Sequence, residues 1–276
     1  MYTFVLRLIP GLEEVLEWDV QLHGIPITDG IGKEVVANWE FPGFQGGSKT
    51  FFTDSNGLEM QKRVLDTRED FTLKTDQYAS SNYYPVQSAL AMRSLEYMQV
   101  TMMNDRSQGA SVLADGSIEF MINRRLLFAD SGAQDEPLNE VDANGFPVQV
   151  NTRFHMQYFE TIDRKSLQRQ VQRMVDEPIQ LFVATGSDAL TESIATSTQA
   201  IPSFDGELKI HLLPQGKNDI LIRVENLYDL FDVNDRTDEH TFTFDFHTYA
   251  LNLFAANNAG DQNVDIKVTE RSLSNN

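Results

Sequence analysis

Histidine is the most versatile of the side chains that can do chemistry, and the five histidines here are scattered: His23, His155, His211, His240 and His247. Zinc needs ligands that converge on one point. His240 and His247 are seven residues apart, so an extended strand would place them on opposite faces. The sequence therefore predicts no zinc site in this chain. Because there is no cysteine, thiolate ligands, thiol nucleophiles and disulfides are absent as well.

Polar and aromatic residues gather in four short segments, at positions 51–57, 82–85, 104–109 and 123–127. Asn and Gly tolerate positive φ, and Asp and Ser side chains bond nearby amides, so such segments suit turns. In the second segment a proline favours an extended approach for two tyrosines that carry hydroxyl groups. Strand periodicity does not explain why these segments are so polar and aromatic.

Five side chains in these segments are candidates for ligand contact. Asp54 beside Asn56 could bond sugar hydroxyls, or could form an Asx-turn with its own backbone. Tyr83 and Tyr84 could offer a phenol to a ligand, or could be core aromatics beside a turn proline. Arg106 could reach a hydroxyl or a carboxylate, or could form a structural ion pair. Paired carboxylates could do acid/base work across a glycosidic bond, but among 41 acidic residues chance pairs are plentiful.

Other features exclude several classes of function. The sequence has no Gly-rich phosphate loop, no Gly-X-Ser-X-Gly elbow and no His-Glu-X-X-His motif. The net charge of −19 argues against nucleic acids and anionic membrane surfaces as partners. No apolar run approaches a membrane span, and the first residues do not form a signal peptide. A chain that opens directly on a strand is interpreted as a piece of something longer.

Alternation of apolar and polar residues predicts many short strands and at most one helix, at 164–174. Three methionines near one strand (Met98, Met102 and Met103) are predicted to fill a core rather than to bind a metal. The residues between 129 and 146 are predicted to form a surface loop. The predicted strands are the two around Pro10-Gly11 (the second at 13–20), then 33–41, 59–65, 70–74, 97–103, 117–122, 148–161, 179–184, 208–213, 219–227, 241–247, 251–255 and 264–270.

These elements predict an all-β sandwich. Residues 186–203 are rich in Ser, Thr and Ala without a firm period, which is typical of a boundary. The predicted organisation is a large β-sandwich domain at 1–186, a linker at 187–204 and a small C-terminal β-sandwich domain at 205–276.

The polar segments, taken in order, resemble the C-terminal β region of class II α-mannosidases of the lysosomal type, which form glycoside hydrolase family 38. The resemblance is densest between residues 6 and 127. The residues that carry it are Phe-Phe-Thr-Asp-Ser-Asn-Gly at 51–57, Asn-Tyr-Tyr-Pro-Val at 82–86, Asp-Arg-Ser-Gln-Gly at 105–109 and Arg-Arg-Leu-Leu at 124–127, with support from 16–18, 32–35 and 221–226.

That resemblance implies a retaining, zinc-dependent hydrolase that removes terminal α-mannose from oligosaccharides. In the family, the nucleophile and the zinc ligands lie in an N-terminal α/β domain. The implied fold is a large antiparallel super-sandwich of galactose-mutarotase type followed by a smaller sandwich. By the same resemblance, the β region packs on the catalytic domain, and we expect Tyr83, Tyr84, Asp54, Asn56 and Arg106 at the rim of the pocket.

The resemblance also implies a lysosomal, vacuolar or secreted protein that binds a mannose-containing oligosaccharide and carries its zinc outside this chain. We expect no mannosidase activity from the chain alone. Two alternatives stay open. One is a free-standing carbohydrate-binding sandwich, and the other is a purely structural β-sandwich module.

Overall fold

The computed structural model describes most of the first 160 residues and several shorter pieces after them. The described residues are 2–10, 12–44, 49–55, 59–70, 72–94, 98–129, 132, 135–160, 208–215, 219–226, 245–246, 248–249, 267 and 269. The predicted linker at 187–204, the predicted helix at 164–174 and the predicted strands at 179–184 and 251–255 lie outside these residues. The predicted domain boundaries therefore stay a prediction.

Strands dominate the described residues, and the helical elements are short. One α-helix, α1, spans Tyr78–Asn82, and 3-10 turns span Pro42–Phe44 and Thr75–Gln77. No helix in the described part of the chain is long and apolar enough to cross a membrane. The strands are β1 (Tyr2–Ile9), β2 (Leu12–Leu22), β3 (Lys33–Glu40), β4 (Thr50–Ser55), β5 (Glu59–Val64), β6 (Tyr84–Val86), β7 (Ala89–Arg93), β8 (Met98–Asn104), β9 (Gln108–Ala114), β10 (Ser117–Arg125), β11 (Val150–Glu160), β12 (Leu208–Pro214) and β13 (Ile220–Asn226).

The first eleven strands form two sheets in which the paired strands are antiparallel. The larger sheet has seven strands in the order β1-β2-β11-β8-β7-β4-β5, and the smaller has four in the order β3-β10-β9-β6. Strands β5 and β6 are therefore edge strands of different sheets. Since sequential hairpins account for only part of these pairings, the order of strands could not be deduced from local periodicity.

A common core joins the two sheets face to face. On β10, Ile118 and Phe120 are fully buried while Glu119 between them is half-buried, as the predicted alternation requires. The Trp39 ring of β3 lies 5.0 Å from the Phe154 ring of β11, and Phe120 lies 5.1 Å from the same ring. Such edge-on aromatic contacts stabilise a core beyond the burial of their area. The prediction of an all-β sandwich is confirmed.

The methionine prediction is also confirmed. Met102 and Met103 are completely buried, on opposite faces of β8, and Met98 is partly buried against the main core. Met102 belongs to the core between the sheets, whereas Met103 packs with Val15 and Ala89 in a second apolar cluster. The seven-stranded sheet therefore buries apolar side chains on both faces.

Two of the predicted strands are not strands in their described parts. Residues 70–74 are not a strand in the described part of that segment; the chain bends there and leads into α1. A strand needs a neighbour to pair its backbone groups, and periodicity does not say whether one is present. Of the predicted strand 241–247, Asp245 and Phe246 begin a helical turn, in which the Tyr249 amide donates to the Asp245 carbonyl. The Phe246 side chain is exposed.

The chain divides into two compact units, Met1–Glu177 with Leu227–Asn234, and Pro178–Asn226 with Asp235–Asn276. Within the second unit, β12 and β13 form an antiparallel hairpin with Ile210 opposite Val224. In the first unit, residues 135–149 form no strand and contain one isolated bridge, between Val141 and Pro147. The described part of the predicted surface loop agrees with that prediction.

Candidate functional site

Asp54 lies near the end of β4 and is buried, with 5 % of its surface exposed. Its Oδ1 accepts hydrogen bonds from the backbone amides of Gln87, Ser88 and Ala89, at 2.8, 3.0 and 3.1 Å. A carboxylate that accepts several amide hydrogens fixes the turn that supplies them. Asp54 therefore holds the connection between β6 and β7. The Asx-turn that was the alternative reading would involve Asn56, which lies outside the described residues, so that alternative stays a prediction.

Arg106 lies in the turn between β8 and β9 and is exposed. Its Nε and Nη2 donate to the two carboxylate oxygens of Asp105, at 2.9 and 3.0 Å, and Nη2 also donates to the carbonyl of Asn151. Burial would raise the pKa of Asp105, but hydrogen bonds from Arg106 and Thr152 outweigh it and lower that pKa. The hydrogen bond that Arg106 donates to Asp105 raises the pKa of Arg106 in return. The ion pair that was the alternative reading for Arg106 is present.

Asn104 connects the turn between β6 and β7 with the turn between β8 and β9. Its backbone N–H donates to the Ser88 carbonyl at 3.1 Å, and its side-chain Nδ2 donates to the carbonyls of Val86 and Arg106. Asp54 and Arg106 therefore border one network at the same end of the sandwich. Asn56, the third candidate from this region, lies outside the described residues.

Tyr83 is half-buried and forms a hydrogen bond to a different strand. Its hydroxyl donates to Oε1 of Glu119 on β10. Burial, followed by this bond and the charge of Glu119, raises the pKa of Tyr83 above its ordinary value. The Tyr83 phenol thus holds its proton more strongly than an ordinary tyrosine does. Glu119 was not singled out from the sequence, because its place opposite Tyr83 depends on sheet order.

Tyr84 points into the space between the sheets and is 6 % exposed. Its ring contacts the Phe51 ring at 5.6 Å. The guanidinium carbons of Arg63 and Arg68 lie 4.5 and 3.8 Å from its centroid. Neither arginine was predicted from the sequence, because nothing in the alternation of β5 indicates that Arg63 faces inward. Tyr83 and Tyr84, adjacent in sequence, therefore serve separate clusters.

The histidines do not come together in the described part of the chain. His23 is exposed, His155 is buried with Nε2 3.3 Å from Glu17, and His211 lies 3.3 Å from Glu225. Burial lowers the pKa of His155 despite the opposing charge of Glu17. His240 and His247 lie outside the described residues. Among the residues that the structure describes, no group of three or more His, Asp or Glu side chains is arranged to hold a metal ion, so the zinc implied by the sequence resemblance has no fitting site there.

Two facing antiparallel sheets, with polar networks on their turns and edges, define the chain as a β-sandwich domain protein. Residues 3–132 match the family described as Glycosyl hydrolases family 38 C-terminal domain. The chain is 33% identical over 258 residues to the lysosomal alpha-mannosidase of Mus musculus, which covers 90% of this chain and 25% of the relative. The human protein of the same name is 42% identical over 137 residues, or 49% of this chain and 13% of the relative.

A probable alpha-mannosidase of Arabidopsis thaliana is 39% identical over 136 residues, which cover 49% of this chain and 13% of the relative. The match thus spans about a quarter of the length of the mouse relative and a smaller share of the length of the other two. The chain belongs to glycoside hydrolase family 38, as part of the C-terminal region of the class II α-mannosidases.

Proposed function

We propose that this chain is the C-terminal β portion of a retaining, zinc-dependent α-mannosidase that removes terminal α-mannose from oligosaccharides. The observation that carries the proposal is the mouse relative, a lysosomal alpha-mannosidase that matches 90% of this chain yet is four times as long as the match. The catalytic zinc belongs, on this proposal, to an N-terminal domain outside this chain. The names of the mouse and human relatives support a lysosomal or vacuolar location.

The domain packs, on this proposal, against the N-terminal catalytic domain. An unpartnered apolar face on the edge strand β1 supports this role. Four side chains on one face of β1 are 50 to 68% exposed, although the same face of the neighbouring β2 carries the buried Val20 and Leu22. Exposed apolar surface on an edge strand marks a contact surface. The four side chains are Tyr2, Phe4, Leu6 and Leu8.

The pocket rim is assigned, as part of the proposal, to the five candidate side chains. Exposure favours Arg106 and the half-buried Tyr83 for direct contact with sugar hydroxyls. Asp54 and Tyr84 are buried, which favours a role in positioning the turns and strands that carry the contacting groups. Asn56 keeps its place as a rim candidate by resemblance alone.

The proposal is tested by expressing the longest protein that the reading frame encodes upstream of Met1. We expect that protein to hydrolyse an aryl α-mannoside, to lose activity with a chelator and to regain it with zinc. Product of retained anomeric configuration, observed by proton NMR, checks the retaining mechanism. In that protein, Tyr83→Phe raises KM with the fold intact. A reading frame that begins at Met1 would instead favour the free-standing β-sandwich module.

A further inference from the structure

Two arginines converge at the side of the sandwich where the edge strands β5 and β6 belong to opposite sheets. Arg63 stands on β5 opposite the buried Phe51 of β4, so its side chain points between the sheets. Arg68 follows β5, and Tyr84 opens β6. The guanidinium carbons of Arg63 and Arg68 lie 4.5 and 3.8 Å from the centroid of the Tyr84 ring, so the two guanidinium groups lie close to each other.

Neutral groups hold the two arginines in place. The Nε of Arg63 donates to Oγ1 of the buried Thr53 at 3.0 Å, and Nη2 of Arg68 donates to the Ser81 carbonyl at 2.9 Å. Each bond uses one of the five N–H donors of a guanidinium. No carboxylate among the described residues lies within 4 Å of either group. The described Arg7, Arg106, Arg124 and Arg153 have carboxylate neighbours, and Arg125 donates to a backbone carbonyl.

The nearby Asp66 does not neutralise the pair. Its Oδ1 accepts from Nδ2 of Asn82, and its Oδ2 faces Nζ of Lys49 at 3.8 Å. Burial lowers the pKa of both Arg63 and Arg68, and the charge of Arg63 lowers the pKa of Arg68 further. The Tyr84 ring attracts each cation through its quadrupole, but it carries no net charge. Two like charges thus share a partly desolvated position in a chain whose net charge is −19.

We propose that Arg63 and Arg68, beside the ring of Tyr84, form a binding site for an oxyanion at the open side of the sandwich. The chemistry is that of a phosphate or a carboxylate, whose oxygens match the planar fork of donors on a guanidinium. The anion's charge offsets the repulsion between the two cations. The site shares Tyr84 with the proposed pocket rim, but its anion-binding groups, Arg63 and Arg68, are not rim candidates. Anion binding is measured without a mannoside, so its failure and the failure of the proposed function are distinguishable.

The full 276-residue chain is titrated with inorganic phosphate and, separately, with succinate at constant ionic strength adjusted with chloride. The readout is the arginine Nε–Hε region of the NMR spectrum, in which we expect saturable shifts of the Arg63 and Arg68 signals. Shifts with phosphate alone assign the site to a small phosphate-type anion. Shifts with succinate assign it to carboxylates, such as an acidic side chain of another part of the protein.

Arg63→Lys and Arg68→Lys keep the positive charge and remove the fork of donors. We expect each to weaken anion binding at least tenfold, whereas Arg124→Lys, an exposed arginine paired with Glu34, leaves it unchanged. Wild-type signals that respond to neither anion would overturn the proposal, whether or not the variants fold. An equal loss of anion affinity in the Arg124→Lys control would also overturn the proposal. Wild-type anion affinity in both test variants would do the same.

Discussion

A buried carboxylate in this domain accepts hydrogen bonds from three consecutive backbone amides. Asp54 accepts three amide hydrogens from residues 87–89, which lie more than thirty positions further along the chain. The sequence marked Asp54 as polar and adjacent to a turn, but its partners depend on β4 and β7 being neighbours in the sheet. One of the five candidates for ligand contact therefore has a structural task that is visible only in the fold.

Removal of the Asp54 carboxylate is expected to destabilise the domain. Asp54→Ala leaves three amides without their acceptor, and we expect a loss of about 1.5–3 kcal/mol in the free energy of unfolding. Asp54→Asn keeps one oxygen as acceptor and should lose less. Urea unfolding measures both, with the exposed Asp70→Ala as the matched control. Equal stability of Asp54→Ala and the control would contradict the structural role of Asp54.

The Tyr83 hydroxyl gives a prediction that depends on pH. Tyr83→Phe removes the bond to Glu119, and we expect about 1 kcal/mol of lost stability at neutral pH. The exposed Tyr158→Phe should lose nothing there. The ordinary pKa of tyrosine is 10.0, and that of folded Tyr83 is higher. Above pH 10 the unfolded chain therefore releases this proton before the folded chain does, so stability falls as pH rises, by at most about 1.4 kcal/mol per pH unit.

Because Tyr83→Phe has no phenol to titrate, its stability should fall less steeply above pH 10 than that of the wild type. The stability gap between the two proteins should narrow from pH 10 upward. Chemical unfolding at a series of pH values measures the gap. A gap that widens with pH would mean that the folded state does not hold the Tyr83 proton.

At the scale of elements, sequence periodicity located most of the described strands but not all their ends. Strand β10 continues to Arg125 through a segment that looked like a polar turn, because its backbone pairs with β3 as far as Lys33. Arg124 and Arg125 are neighbours on a strand and therefore point in opposite directions. Arg124 pairs with Glu34, and Arg125 donates to the Ile25 carbonyl. Helix α1 was missed because its five residues are too few to show a helical period.

The segment after β2 provides a test of close packing between elements. A Cβ added at Gly24 would meet the Cβ of Pro147 and lie 2.8 Å from the Pro147 carbonyl oxygen. Neither the ring nor the backbone of Pro147 can move freely, so we expect Gly24→Ala to lose about 1–3 kcal/mol of stability. Thermal or urea unfolding measures the loss.

Gly43 is the matched control, because a Cβ there would have no heavy atom within 4 Å. We expect Gly43→Ala to stay within about 0.5 kcal/mol of the wild type. Similar stability of the two variants would show that the segment containing Gly24 does not pack against Pro147 in solution.

At the scale of the whole molecule, the expected behaviour is that of a part separated from its catalytic partner. The purified chain, supplied with zinc, should release no product from an aryl α-mannoside, because the proposed function places the catalytic zinc in a domain outside this chain. Colorimetric assay over several hours, with an active α-mannosidase as the positive control, checks this. Turnover that a chelator abolishes would place a complete active site inside this chain.

The amino-acid sequence by itself determined the family and the strand-rich class, because motif order and residue alternation are properties of neighbouring positions. It also determined which faces of strands such as β10 are apolar. Only the tertiary structure decided which distant residues meet. Asp54 reaches the amides of 87–89, Tyr83 reaches Glu119, and Arg63 and Arg68 reach Tyr84, since sheet order and edge position set these contacts and no local pattern encodes either.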